Sequence, residues 1–93
     1  MISPVLYHAL TWQERKTLRE QYITHQNGNC LYCGESLSKN PPSRITDKLI
    51  DWSYFPPNFL KYPVHLQHNH ITDMTEGAVH AYCNAVMWQY ENQ

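Results

Sequence analysis

The pairing of Cys30-Leu-Tyr-Cys33 with His80-Ala-Tyr-Cys83 restricts the possible folds of this chain more than any other feature. Two residues between the donors of each pair is the spacing at which a tight turn aims both at one ion. Three thiolates and one imidazole then make a closed tetrahedral set suited to a structural zinc. Gly34, directly after the first pair, permits the close backbone approach that a knuckle needs. Three cysteines cannot all pair within one chain, so ligation is a better reading of the spacing than a disulfide framework.

Size explains why such a staple is needed. A chain of 93 residues makes one domain, 1–93, with a modest core that benefits from a metal or a partner. With 42% hydrophobic and 13% aromatic residues the composition is globular, and no run is apolar enough for a membrane span. The opening Met1-Ile-Ser-Pro-Val-Leu-Tyr7 has no basic leader, so a cytoplasmic location is expected. A net charge of -1 argues against a long, sequence-independent grip on a polyanion, so any nucleic-acid contact must be local. Arg15, Lys16 and Arg19 cluster on one expected helix, while Lys39, Arg44, Lys48 and Lys61 are dispersed; all read first as solvated surface charge.

Thr11-Trp-Gln-Glu14 has the form of a capping box and opens a helix expected over 11–26, which Asn27-Gly28 ends with residues that tolerate a left-handed conformation. Trp12, Leu18 and Tyr22 give it a partial apolar stripe and are assigned to packing. After the knuckle at 30–33, residues 35–63 read as an irregular insertion punctuated by Pro41-Pro42, Pro56-Pro57 and Pro63. Its segment Ile50-Asp-Trp-Ser-Tyr-Phe55 is too aromatic for a linker and suits either packing over the core or a binding loop. Residues 64–91 then read as strand (64–69), polar turn (71–76), strand (77–82) and a helix from Cys83, giving an α+β chain that ends strand, strand, helix.

A second cluster lies beside the zinc ligands: His65, His68, His70 and Asn84. The strand period of two places His68 and His70 on one face and His65 with Gln67 and Asn69 on the other. Histidine meets the requirement of a general base, a pKa near working pH, without extreme tuning, and His68 is the choice here. Asn84, at the start of the last helix, offers a neutral oxygen to a hard cation near the helix's positive end.

At these residues the chain resembles the HNH, or ββα-metal (His-Me finger), nucleases, and among them the phage recombination endonuclease VII-like and small phage HNH proteins. The resemblance rests on Cys30-Leu-Tyr-Cys33, His65-Leu-Gln-His-Asn-His70 and His80-Ala-Tyr-Cys-Asn84, and covers 30–33 and 65–85. It implies a zinc-stabilised ββα-metal domain with an added N-terminal helix. It also implies His68 as general base, His70 beside the scissile phosphate, Asn84 as a ligand of a catalytic Mg2+ or Mn2+, and Cys30, Cys33, His80 and Cys83 around zinc. The implied partner is DNA, approached through the minor groove, in a phage or prophage setting, with a homo-oligomer or larger phage assembly supplying further grip. The implied reaction is phosphodiester hydrolysis leaving 5′-phosphate and 3′-hydroxyl ends.

Two departures from the family pattern bear on these expectations. Gln67 stands where the family has the aspartate that binds the catalytic cation, which weakens the case for magnesium and favours a transition metal held partly by histidine or amide groups. His80 replaces the usual third cysteine, which zinc tolerates. The alternative function is a weakly active or inactive zinc-stabilised adaptor for DNA or protein, and a second alternative is an interaction protein using Trp52, Tyr54 and Phe55 as an exposed patch.

Overall fold

Thr11 starts the first long helix as its sequence predicts. Its Oγ1 accepts from the Glu14 backbone N–H at 3.1 Å, and its own N–H donates to the Glu14 carboxylate at 2.8 Å, so two otherwise orphaned donors are satisfied. In a computed structural model, which describes residues 2–91, this helix, α1, spans Trp12–His25. Met1, Asn92 and Gln93, part of the expected 1–93 span, lie outside the described residues. Asn27 (φ 56°) and Gly28 (φ 74°) end α1 in the left-handed region.

The insertion contains one short helix, α2 (Ser43–Thr46), and a single 3-10 turn at Trp52–Tyr54. Strands β1 (Val64–His68) and β2 (Thr75–His80) pair antiparallel, and helix α3 (Ala81–Glu91) follows directly. The described residues thus form a small α+β fold with a two-stranded sheet and three α-helices. None of the helices is long and apolar enough to cross a membrane.

The boundaries near the hairpin differ from those expected. β1 stops at His68, β2 begins at Thr75 rather than Gly77, and α3 begins at Ala81 rather than Cys83. Asn69 accounts for the first difference: its side-chain oxygen accepts from the N–H groups of Ile71 and Thr72, turning the chain out of the strand. Thr75 accounts for the second, since its N–H donates to the Val5 carbonyl, while its buried hydroxyl accepts from the Val5 N–H and meets the Tyr22 hydroxyl. Register also slips between Gln67 and His68, so Gln67 faces Gly77 but His68 faces Thr75, leaving Glu76 as the extra residue of a bulge.

Leu18, Tyr22, Leu37, Ile45, Leu66, Val79, Val86 and the three cysteines form one buried cluster. Trp12 does not join it: 71% of its surface is exposed, which corrects its assignment to packing. The cause is its place in the first turn of α1, ahead of Leu18 and Tyr22, the buried residues of that helix. The insertion is partly organised by aromatic contacts. Phe55 packs on Phe59 and Trp88, and Tyr82 donates to the carbonyls of Thr46 and Lys48.

The knuckle is fastened to the free edge of β2. The Gln26 side-chain amide acts as a peptide group there, accepting from the Ala78 N–H and donating to the Ala78 carbonyl, both at 2.9 Å. The Leu31 N–H donates to the same carbonyl at 3.0 Å. Gly77 allows this approach, because a Cβ there would lie 2.7 Å from both Gln26 Oε1 and Leu31 Cδ2.

Candidate functional site

Cys30, Cys33, His80 and Cys83 are all buried, and their ligand atoms lie within 4.8 Å of one another. Sulfur-to-zinc bonds of about 2.3 Å set tetrahedral donors roughly 4 Å apart, so this group has the donor set and the size for a structural zinc. Tautomer choice agrees with that role. His80 Nε2–H donates to the carbonyls of Ser36 (2.9 Å) and Lys39 (3.0 Å), which leaves the Nδ1 lone pair facing Cys33 Sγ at 3.4 Å and Cys83 Sγ at 3.6 Å. Backbone N–H groups of Glu35 and His80 donate to Cys33 and Cys30.

The electrostatics of the cluster point the same way. A hydrogen bond with the Cys83 thiol, aided by nearby backbone N–H groups, draws the Cys30 thiol down to about 4. The same hydrogen bond, burial and the neighbouring Cys30 and Cys33 sulfurs push the Cys83 thiol upward, and burial raises Cys33. Three buried sulfurs compete over negative charge that a divalent cation would neutralise.

The second cluster borders a pocket of about 1040 Å3 whose lining includes His65, His68, His70 and Asn84 together with Arg15, Lys16 and Arg19 of α1. Tyr54, Phe55 and Phe59 also line it, which answers the question left open for the insertion: its aromatic segment walls the site. Trp12, too, faces this space rather than the core. His65 stands in the same pocket as His68 and His70 although strand alternation places it on the other face; the consecutive residues Val64, His65 and Leu66 all border this space, so the pocket is not confined to one face of β1.

His68 is fixed by its neighbours. Tyr7 stacks on its ring at a centroid distance of 4.0 Å, and Arg15 lies over the other ring of that stack, Tyr7, also at 4.0 Å. The His70 ring is 4.7 Å away. Burial, followed by the His70 charge, lowers the His68 pKa below the usual histidine value, against an opposing pull from Asp73. Asp73 Oδ1 lies 4.0 Å from His68 Nε2 and 2.5 Å from His8 Nδ1. Hydrogen bonding from the His8 backbone N–H, above all, holds the Asp73 carboxyl below its ordinary range. His8, His68 and Asp73 form a second group that could hold a cation. Sequence motifs did not single out His8 or Asp73; the positive φ of Asp73, 62°, belongs to the turn geometry and has no spacing signature.

Asn84 meets His65 rather than His68: Asn84 Nδ2 and His65 Nδ1 are 3.1 Å apart. His65 Nε2 bonds the Phe59 carbonyl at 2.9 Å, and burial lowers its pKa, so the ring is held neutral with Nδ1 as acceptor. Gln67 is only 2% exposed and is absent from the pocket wall; its Nε2 donates to the His68 carbonyl at 3.0 Å. No protein-family model matches the chain, and neither the curated proteins nor the solved structures compared with it include a match.

Proposed function

We propose that this chain is a metal-dependent DNA endonuclease of the ββα-metal kind, in which a zinc-stapled strand, strand, helix unit presents His68, His70 and Asn84 to a phosphodiester. The observation that carries the reading is that one pocket gathers these three residues together with Arg15, Lys16 and Arg19, and that Asn84 follows Cys83 of the buried Cys3His group in the chain. Cationic side chains in the lining suit a phosphate backbone, and the half-buried imidazole of His68 suits proton transfer.

His68 accepts a proton from the attacking water, whose oxygen bonds to phosphorus as the bond to the 3′ oxygen breaks in line. That leaves 5′-phosphate and 3′-hydroxyl ends. Stacking on Tyr7 holds the His68 ring, and its lowered pKa keeps it neutral and able to accept at neutral pH. His70, exposed at the mouth of the pocket, is placed to donate to a phosphate oxygen. Arg15, Lys16 and Arg19 hold the strand through its phosphates, which fits little sequence preference. A divalent ion bound with Asn84 would supply charge stabilisation at the leaving oxygen.

The test is relaxation or linearisation of supercoiled plasmid with magnesium, manganese or nickel, beside His68→Ala. General-base removal should slow cleavage by about 10²- to 10⁴-fold while zinc content stays unchanged. Equal inertness of wild type and variant in every metal overturns the nuclease reading. It would favour an adaptor that binds DNA without cutting it, a reading supported by the buried amide of Gln67 at a position where a carboxylate would serve a cation better.

A further inference from the structure

The two histidines nearest the start of α3 are held by the same device. His80 donates from Nε2 to backbone carbonyls and turns Nδ1 toward sulfur ligands. His65 bonds the Phe59 carbonyl through Nε2 at 2.9 Å and turns Nδ1 toward the Asn84 amide. A histidine whose far nitrogen is pinned by a carbonyl has its tautomer and ring plane set in advance, as metal-ligating histidines usually do. Phe59 packs edge-on against the ring at 4.7 Å and fixes it further.

The lining of the pocket determines which cation would suit it. Among the described residues, none of the pocket-lining side chains is a carboxylate, and Gln67 is interior. Magnesium is a hard ion that asks for carboxylate oxygen, whereas imidazole and amide donors suit borderline first-row ions. The Asn84 amide can turn its Oδ1 where Nδ2 now stands, because the two orientations are nearly isosteric.

We infer that His65 Nδ1 and Asn84 Oδ1 together hold the catalytic cation of this pocket, and that this cation is a first-row transition-metal ion, for which Mn2+ serves as the paramagnetic probe, rather than magnesium. The inference rests on the nuclease reading above and adds to it a ligand and a metal class. Two neutral donors leave the remaining positions for water and a substrate phosphate, so affinity for the free ion is low and increases when DNA is present. His68 stays outside the ligand set, as its function as a base requires.

Paramagnetic broadening by Mn2+ of histidine ring signals in the zinc-loaded full chain tests this, because fast exchange reports weak sites and manganese competes poorly for thiolates. Wild type should show His65 broadened most strongly, with Mg2+ a poor competitor. His65→Phe keeps a ring against Phe59 but removes the nitrogen; even partners that only orient a ligand are worth about 10- to 100-fold in affinity, so the variant should lose at least that much. Asn84→Ala should weaken binding in parallel, with zinc content confirming the fold of both variants.

Strongest broadening at His8, abolished by Asp73→Asn but not by His65→Phe, places the ion at the His8, His68, Asp73 group and overturns the inference. Unchanged binding in His65→Phe does the same. Plasmid cleavage measured alongside separates the two claims. Cleavage with no ion at His65 removes the ligand assignment and keeps the nuclease, whereas an ion at His65 without cleavage keeps the ligand assignment and removes the nuclease.

Discussion

Cys83 and Asn84 are neighbours on one turn of α3, yet they serve opposite kinds of site. Cys83 is fully buried in a closed group of four donors, whereas Asn84 is half-exposed at the wall of an open, cation-rimmed pocket. The closed group gathers three buried sulfurs and one imidazole that all turn toward one point, so it suits permanent occupation. The open group is built from neutral nitrogen and amide donors with space for a phosphate, so it suits exchange. One helical register places both residues, so whatever fixes Cys83 also fixes the position of Asn84.

The sharpest way to break the comparison is to alter these neighbours one at a time. Cys83→Ala removes a ligand from a site whose metal contributes about 10–16 kcal/mol in small zinc domains, more than the typical net stability of such a chain. Zinc stoichiometry and circular dichroism should show loss of metal and of cooperative folding. Asn84→Ala should leave both intact. If Cys83→Ala melts like the wild type, the cluster is ordinary core and the contrast disappears.

A smaller effect concerns protons at the open site. In the reaction proposed above His68 serves as a base only when neutral, and burial with the His70 charge holds its pKa below 6.5. Single-turnover cleavage should therefore be flat through neutral pH and fall about tenfold per unit only once the pH drops below that lowered value. Asp73 favours the protonated ring, so Asp73→Asn should move the acid limb to still lower pH. A limb above 6.5, or one that Asp73→Asn leaves in place, assigns the titration to another group.

The mildest change lies between the two sites. Gly77→Ala puts a Cβ 2.7 Å from Gln26 Oε1 and Leu31 Cδ2, and crowding of this kind costs about 1–3 kcal/mol. A melting temperature lowered by about 4–24 °C with zinc retained is expected. An unchanged melt would mean that Gln26 moves aside freely and does not anchor the knuckle.

The closed site was legible in the sequence because Cys-x2-Cys and His-x2-Cys spacing acts locally, through a turn and a strand end, and needs only one long-range meeting. The capping box and the Asn27-Gly28 stop were legible for the same reason. The open site was less so. His65 belongs to the cluster read from the sequence, but its contact with Asn84 joins β1 to α3, and the Phe59 carbonyl that holds its ring comes from an irregular segment. His8 and Asp73 are brought together by the N-terminal segment docking beside β2, and no short-range pattern encodes that. Trp12 carried a core-like residue type at a position the fold leaves in the pocket.

The outer margin of β2 carries one more implication. A two-stranded sheet ordinarily offers unpaired backbone groups along its rim, and such a rim invites a strand from another molecule. Here the Val5 carbonyl, the Gln26 amide, the Leu31 N–H and Cys30 Sγ occupy that rim from Thr75 to His80. The knuckle that carries Cys30 and Cys33, together with the N-terminal segment and the end of α1, therefore also covers this margin of the hairpin, and disrupting the Cys3His group should leave the chain prone to self-association as well as less stable.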